Sequence, residues 1–489
     1  MTENLKRKTV SGVMWSAIER FSLQGVQFVM QLVMARLLLP SDYGMIAMLT
    51  IFLQIAQAFI DSGFTNALIQ KKDRTEVDYS TVFYFNIIIA LLFYCILFVS
   101  APLIAKFYNM PDLILVMRVM ALSLIILSFS AVHKTKLTIE INFKIQSKIT
   151  LIAAGISGII GVGIAYWGYG VWALVYQSIL NAMLTTILFN CFYRWKPLKT
   201  FSMKSFKRLF SFGSKLLVSG LIHTVYYNLY GIVIGKRFSA AELGYYTRAE
   251  QFAILPSYNL SAIITRVTFP ILSSIQDDNE RLASTYRKYI RLSSYLIFPL
   301  MVGLASLANP LVDLFLTEKW NGTVALLQIL CFDWMFDHLS GINLNLLYVK
   351  GRSDLALRLE IIKKIIAITI LLASIPLGII GMCLGRVLYS LIATYANTYY
   401  TNSLIGLSFR TQLKDIIPYL ILSLAMGGVV YATTYLGLSN IIQLIIGITI
   451  GILFYISISY IFKITSLKVL LQLIPVSYTH LTLPTICSV

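Results

Sequence analysis

The first hydrophobic segment of the chain carries a line of polar side chains that could bind a polar ligand. They recur at steps of four, four, three and four residues and are Ser16, Arg20, Gln24, Gln27 and Gln31. At about 100° per residue they fall on one face of an otherwise apolar helix, and Glu19 adjoins that face. A charge at membrane depth costs at least about 2.5–3.5 kcal/mol, so such residues usually face a protein interior or a watery cavity. The stripe therefore predicts the wall of a hydrophilic cavity, with a polar contact between buried helices as the alternative.

A second stripe with the same steps begins 199 positions later and comprises Lys215, Ser219, His223, Tyr226 and Tyr230. The connection after each stripe also repeats, at an offset of 200: a basic residue, an acidic residue six positions on, and a glycine two beyond. These residues are Arg36, Asp42 and Gly44, then Lys236, Glu242 and Gly244. The pattern predicts an internal duplication of six spans in parallel orientation, which in transporters places the substrate site between the halves.

Several carboxylates enter hydrophobic segments and are candidates for coupling to an ion. Asp333 and Asp337 lie four residues apart, which predicts a shared helical face beside His338. Such a pair can relay a proton or hold Na⁺, but it can equally be a structural partner of Arg266 or Arg386. Asp61 can titrate in a cavity or cap a helix break at Gly63. Glu19 completes the set of ion-coupling candidates.

No catalytic constellation is present in the sequence. There is no G-x-x-x-x-G-K-[ST] phosphate loop, the histidines are dispersed, and the cysteines lack metal-ligand spacing. No connection between hydrophobic segments is long enough for the external catalytic domain that a membrane glycosyltransferase or ligase would need. The sequence therefore predicts a protein that is not an enzyme, has no cofactor or metal, and draws energy from an H⁺ or Na⁺ gradient.

Composition indicates an all-α polytopic membrane protein. The 489 residues are 58% hydrophobic and only 12% charged, and they contain about fourteen apolar runs long enough to span a bilayer. The formal charge of +19 could suggest nucleic acid, but most Lys and Arg residues fall in alternate connections. The positive-inside rule then places these connections and both termini in the cytoplasm, with anionic lipid headgroups as a possible second contact and no nucleic-acid partner.

The predicted organisation has five parts. These are a six-helix bundle at 1–193, a basic linker at 194–210, a second six-helix bundle at 211–404, two additional transmembrane helices at 405–475, and a tail at 476–489. The tail resembles translated adaptor sequence, and we interpret it as non-native.

Four short motifs resemble the bacterial polysaccharide-export flippases of the multidrug/oligosaccharidyl-lipid/polysaccharide exporter superfamily. They are TVSGVMWS at 9–16, RLLLPSDYG at 36–44, DSGF at 61–64 and EKW at 318–320. The resemblance implies two six-helix bundles plus two helices in the bacterial inner membrane. It also implies alternating-access transfer of undecaprenyl-pyrophosphate-linked oligosaccharide to the outer leaflet, for lipopolysaccharide, capsule or exopolysaccharide. Polysaccharide polymerases and chain-length proteins are its implied partners.

The sequence leaves two alternative functions: a flippase for the peptidoglycan lipid precursor, and a drug/cation antiporter of the same superfamily. An antiporter would prefer an acidic, aromatic cavity, whereas the cations here would suit a pyrophosphate and the amides and tyrosines would suit sugar hydroxyls. The predicted substrate-cavity residues are Arg20, Gln24, Gln27, Gln31, Lys215, His223, Tyr226, Arg266 and Arg386.

Overall fold

The computed structural model describes residues 22–61 and 63–479, with side chains up to residue 472. Every regular element in these ranges is a helix, which agrees with the predicted fold class. The α-helices, in chain order, are α1 (described over 22–37), α2 (Pro40–Asp61), α3 (Phe64–Gln70), α4 (Glu76–Tyr108), α5 (Leu113–Met120), α6 (Leu122–Ser128), α7 (Ala131–Ile139), α8 (Phe143–Tyr166), α9 (Val171–Phe192), α10 (Met203–Tyr227), α11 (Leu229–Arg237), α12 (Ala240–Ser274), α13 (Asn279–Ser306), α14 (Ala308–Phe315), α15 (Gly322–Trp334), α16 (Asp337–Val349), α17 (Ser353–Ser374), α18 (Gly378–Thr398), α19 (Thr401–Ile405), α20 (Phe409–Ala432), α21 (Asn440–Ile461) and α22 (Thr465–Thr479).

The long helices are apolar enough to cross a membrane. Among the described residues, eight helical stretches meet this condition by length and composition, or ten if each of two bent helix pairs is one span. Helix α4 shows how such a span is delimited. The Thr75 hydroxyl and the Asp78 carboxylate form a reciprocal capping box at its start, and Asn109 ends it in the left-handed conformation with a φ of 57°. The chain is therefore a multi-pass membrane protein.

Several predicted spans are broken rather than continuous. Gly63 has a φ of 68° and separates α2 from α3, so a helix break is present at Gly63, while the capping role of Asp61 stays a prediction. The α5–α6 segment meets α7 at 42°, and α10 meets α11 at 40°. The tenth predicted span also breaks, because α15 ends at Trp334 and α16 begins at Asp337. The tenth predicted span is therefore interrupted between Asp333 and Asp337, and their shared helical face stays a prediction.

The first of two compact units covers residues up to Thr247. Within it, α8 pairs with α9, and α4 packs against α2, α5 and α6. Helix α10 packs on α2, α3 and α4, with Leu209, Gly213 and Leu217 on its buried side. A β-carbon at Gly63 would lie 2.6 Å from the Gly213 carbonyl oxygen, so this helix contact needs glycine for space as well as for φ.

The second compact unit begins at Arg248 and is centred on the pairing of α13 with α20. The buried Asp415 carboxylate joins these two helices. It accepts hydrogen bonds from Arg287 Nε at 2.7 Å and Nη2 at 2.9 Å, and from Arg291 Nε at 2.9 Å. Helix α20 is thus fixed to the second unit by charge-assisted hydrogen bonds as well as by apolar packing. The five-part organisation drawn from the sequence follows the repeat and stays a prediction.

The two repeated connections adopt the same local structure. The Leu39 backbone N–H donates to Asp42 Oδ2 at 2.9 Å, and 200 positions later the Ser239 N–H donates to Glu242 Oε2 at 2.9 Å. The helices that follow meet at the repeated glycines. A β-carbon at Gly44 would lie 1.7 Å from the Ala240 carbonyl oxygen, and one at Gly244 would lie 2.0 Å from the Pro40 carbonyl oxygen. We call this reciprocal contact the glycine crossing.

Candidate functional site

The described part of the first polar stripe lies on α1. Gln27 is exposed, whereas Gln24 and Gln31 are half-buried. The other members of the stripe, Ser16 and Arg20, lie outside the described residues, as does Glu19. The three glutamines thus supply amide donors and acceptors along an apolar helix, which is the chemistry that sugar hydroxyls require.

The second stripe lies on α10, on the side opposite its packed residues. Lys215, Ser219 and His223 are exposed, and the His223 ring stacks on Tyr227 with centroids 6.1 Å apart. Tyr226 is half-buried at the end of α10. Because the helix bends after this residue, Tyr230 belongs to α11 and the stripe is not one straight line.

Two of the predicted cavity cations are available to an anion. Lys215 and Arg266 are both exposed, and neither has a carboxylate partner among the described residues. Lys215 lies on α10 and Arg266 on α12. An ammonium or guanidinium group in an otherwise apolar helix is a strong potential contact for phosphate oxygens.

Arg386 has a different environment, because two carboxylates hold its guanidinium. Nη1 lies 2.5 Å from Glu250 Oε1, while Nε lies 2.8 Å and Nη2 2.7 Å from Asp333 Oδ2. The three side chains are 14%, 21% and 10% exposed in that order. We call this set the α18 triad. The triad contains the Asp333–Arg386 ion pair, which the sequence suggested as an alternative to an ion-coupling role for Asp333. The Arg386 guanidinium binds carboxylates on two sides.

Asp337 and Asp61 are two further ion-coupling candidates, and neither forms an ion pair with Arg386. Asp337 is half-buried in the first turn of α16, where the helix dipole favours a carboxylate. His338, next to it, is buried and has Nε2 3.1 Å from Ser294 Oγ, so its ring belongs to the core. Asp61 ends α2 and accepts a hydrogen bond from Gln57 Nε2 at 3.0 Å. Among the described residues, no group of three or more His, Cys, Asp or Glu side chains is placed to hold a metal ion.

A polar cluster that the sequence analysis did not find lies at the start of α4. Glu76 Oε1 is 2.7 Å from Lys136 Nζ, and Glu76 Oε2 accepts a hydrogen bond from Trp195 Nε1 at 2.6 Å. Lys136 Nζ also lies 4.4 Å from the centroid of the Tyr79 ring and 5.0 Å from that of Trp195. We call Glu76, Lys136 and Trp195 the connector cluster. The one sequence feature that could have predicted this cluster is Trp195, a single tryptophan in a basic connection.

The same region fixes the backbone of the connection from α9 to α10. Ser80 Oγ accepts from the Leu198 N–H at 2.8 Å, and Thr81 Oγ1 accepts from the Ser202 N–H at 3.1 Å. Tyr193, at the start of the connection, donates its hydroxyl proton to Glu140. Burial and the Glu140 carboxylate raise the pKa of Tyr193, so the phenol stays protonated as a donor. The connection has a defined shape on the first unit.

The EKW motif at 318–320 forms a short 3₁₀ turn in the second unit. Trp320 is fully buried there, and the Arg248 guanidinium carbon lies 5.8 Å from its ring centroid. The motif thus has a packing role, in which an indole covers the apolar part of a nearly buried arginine.

Comparison with known proteins gives a consistent result. Residues 33–325 match the family described as polysaccharide biosynthesis protein. The chain is 27% identical over 437 residues to WzxC of Escherichia coli strain K12, a lipopolysaccharide biosynthesis protein, covering 87% of this chain and 88% of the relative. It is 26% identical over 460 residues to TuaB of Bacillus subtilis strain 168, a teichuronic acid biosynthesis protein, covering 92% and 95%.

A solved structure shows the same fold over nearly the whole chain. The lipid II flippase MurJ in an inward closed conformation aligns with a TM-score of 0.73, covering 92% of this chain and 98% of that chain at 17% identity. At this identity the likeness establishes the fold alone. The predicted all-α polytopic membrane fold is confirmed by this alignment together with the helices described above.

Proposed function

The chain belongs to the polysaccharide biosynthesis protein family, and from this premise we propose that it is a lipid-linked oligosaccharide flippase. In this proposal it moves undecaprenyl-pyrophosphate-linked oligosaccharide from the cytoplasmic to the outer leaflet of the bacterial inner membrane, by alternating access. The product serves surface polysaccharide biosynthesis. The protein moves its substrate without altering it chemically, and both of its termini lie in the cytoplasm.

The observation that carries the proposal is the family match, extended by relatives that cover most of the chain. The names of those relatives refer to different glycans, lipopolysaccharide in one and teichuronic acid in the other. Proteins that resemble one another over their whole length yet serve different glycans are best explained by recognition of a common carrier group. A polyprenyl pyrophosphate is such a group, because its charge and lipid chain stay the same when the sugars change.

The exposed polar residues fit the two ends of that substrate. Lys215 and Arg266 provide cations without carboxylate partners among the described residues, and these suit a pyrophosphate. Gln24, Gln27 and Gln31 of α1 suit sugar hydroxyls. His223 and Tyr226 of α10 add a ring face and a hydroxyl. Arg20 joins this set in the proposal, whereas Arg386 has a structural role in the α18 triad.

Ion coupling is the proposed energy source, with no cofactor. The α18 triad places two carboxylates around one guanidinium within an apolar helix bundle. A proton or Na⁺ that neutralises one of these carboxylates would lower its burial cost, and Asp333 is the more enclosed of the two. Glu19, Asp61 and Asp337 are further candidates.

The rival functions are a peptidoglycan lipid-precursor flippase and a drug/cation antiporter. The fold suits the first rival as well as the proposal, since MurJ shares it. The sequence relatives favour surface polysaccharide over peptidoglycan, because their names refer to lipopolysaccharide and teichuronic acid. Exposed cations without carboxylate partners at Lys215 and Arg266 disfavour a cationic drug. Polysaccharide polymerase and chain-length proteins are the proposed partners, and nucleic acid is not.

A clean deletion strain of the source bacterium tests the proposal. Polyprenyl-linked intermediates are extracted and assigned to a leaflet by their accessibility to an impermeant glycan-modifying reagent. Complete pyrophosphate-linked oligosaccharide should accumulate on the cytoplasmic side, and surface glycan should disappear. Normal intermediates with intact glycan and raised sensitivity to cationic dyes would establish the antiporter instead. Accumulation of the peptidoglycan precursor alone would establish the other flippase.

Complementation of the same strain tests the role of Lys215. The variant Lys215→Gln should lower the rate at which surface glycan returns by about tenfold, since one charge-assisted contact to phosphate contributes about 1.5–3 kcal/mol. Lys288→Gln, a change of the same kind at an exposed helical position, is the matched control and should complement fully. Equal complementation by both variants, at equal protein levels, would remove Lys215 from the site.

A further inference from the structure

The connection between α9 and α10 is unusually basic together with the first turns of α10. Residues 194–208 contain six Lys or Arg residues and no Asp or Glu. Among the described residues, Arg208 is the one of the six that approaches carboxylates, at 3.5 Å from Asp73 and 3.6 Å from Asp78. The other five side chains are exposed and have no carboxylate partner among the described residues; they are Arg194, Lys196, Lys199, Lys204 and Lys207. The nearby Glu76 carboxylate binds Trp195 of the connection and none of these five cations. Their positive charge therefore faces solvent without a carboxylate in the described part of the chain.

Exposed apolar side chains alternate with these cations. Leu198 and Phe201 are each 45% exposed, and Met203 is 56% exposed. A cation next to an exposed apolar side chain is typical of segments that lie in the headgroup region, where the charge meets phosphate and the apolar group enters the acyl boundary. An acidic protein partner would explain the charges but not the apolar residues between them.

The connection cannot move far from the membrane. Helix α9 ends at Phe192 and α10 begins at Met203, and both belong to apolar stretches that qualify as spans. Between them the backbone is fixed by hydrogen bonds from Leu198 to Ser80 and from Ser202 to Thr81, and by the indole of Trp195 on Glu76. The cations are therefore held at the membrane surface in a defined arrangement rather than on a loose chain.

We propose that residues 194–207 form a docking surface for the headgroups of anionic phospholipids in the leaflet that faces the basic connections. The positive-inside rule makes this the cytoplasmic leaflet. The cations bind the headgroup phosphates, the apolar side chains enter the upper acyl region, and the connector cluster holds the surface in shape. The inference is independent of what the protein transports.

The test is the lipid preference of the purified full-length protein. It is reconstituted into phosphatidylcholine vesicles that contain either spin-labelled phosphatidylglycerol or spin-labelled phosphatidylcholine, and the fraction of motionally restricted lipid gives a relative association constant. The connector variant is Lys196→Gln/Lys199→Gln/Lys204→Gln. The matched control is Arg281→Gln/Lys288→Gln/Lys414→Gln, which removes the same charge from exposed helical positions of the second unit.

The preference for phosphatidylglycerol should fall about threefold or more in the connector variant, and little in the control, because nearby cations add to the attraction. Raising the salt concentration should reproduce this loss in the unchanged protein. Thermal unfolding should be the same for all three proteins, since the replaced side chains have no ion-pair partners among the residues that the structure describes. Equal losses in the two variants, or no preference in the unchanged protein, would overturn the proposal.

Discussion

The connector cluster and the α18 triad both pair a cation with carboxylate, but they differ in depth. In the connector cluster, one lysine faces one acid, and the Glu76 side chain is 53% exposed. In the triad, one arginine faces two acids within helices, and no side chain exceeds 21% exposure. When Lys136 is lost, water can solvate the half-exposed Glu76 carboxylate, whereas the two carboxylates of the triad have much less access to water. The two sets should therefore contribute differently to the free energy of unfolding. The following substitutions measure that difference.

Removal of Arg386 should have the largest effect. The variant Arg386→Met takes away the guanidinium that the Asp333 and Glu250 carboxylates both contact, and breaking a buried pair in this way costs about 3–5 kcal/mol. The free energy of unfolding in detergent should fall by that amount, or the protein should fail to accumulate. The triple variant Glu250→Gln/Asp333→Asn/Arg386→Met removes every charge and should recover most of the loss. If the triple variant were as unstable as the single one, charge would not be the cause.

Substitutions in the glycine crossing should have the second largest effect. The losses should be similar at the two repeated glycines. Gly44→Ala and Gly244→Ala each place a methyl group against a carbonyl oxygen of the facing helix, so the helices must separate. Overpacking of this kind typically costs about 1–3 kcal/mol in the free energy of unfolding. Gly155→Ala is the matched control, since its β-carbon would meet nothing within 4 Å. A large effect at one crossing glycine and none at the other would show that the contact is not reciprocal.

Disruption of the connector cluster should have the smallest effect. Lys136→Gln removes the cation and leaves the Glu76 carboxylate, which is 53% exposed and keeps its hydrogen bond from Trp195, so we expect a loss of about 1 kcal/mol. Asp354→Asn is the control, because Asp354 and Arg352 form an ion pair that is exposed on both sides and should contribute almost nothing. Thermal unfolding at low and high salt would measure both changes. A loss for Lys136→Gln as large as that for Arg386→Met would refute the depth argument.

The sequence predicted the features that depend on helical period and repeat. The stripe spacing placed Lys215, Ser219 and His223 on one side of a helix, and the structure shows that side opposite the packed residues. The offset of 200 predicted the matching turns at Asp42 and Glu242, which form equivalent hydrogen bonds. These features are local or periodic, so no knowledge of distant contacts was needed.

Contacts between distant residues were not predictable in this way. Glu76 meets Lys136 and Trp195, which lie 60 and 119 residues further along the chain. Nothing in the periodicity of either segment specifies that pairing. The interruption between Trp334 and Asp337 was also not predicted, because Met335 and Phe336 continue the apolar run and hydropathy cannot distinguish an interrupted helix from a continuous one. Arg386 had several possible acidic partners, and only the fold selects Glu250 and Asp333.

The extent of the first compact unit has a consequence for the order of synthesis. That unit contains α10, which buries Leu209, Gly213 and Leu217 against helices made much earlier. A nascent chain that has inserted only the helices up to α9 therefore still exposes the surfaces that α10 will cover. Because domains fold in order as they emerge from the ribosome, the first unit can be completed only after the basic connection and α10 have been translated. During that interval the unfinished bundle would be a substrate for membrane chaperones and quality-control proteases.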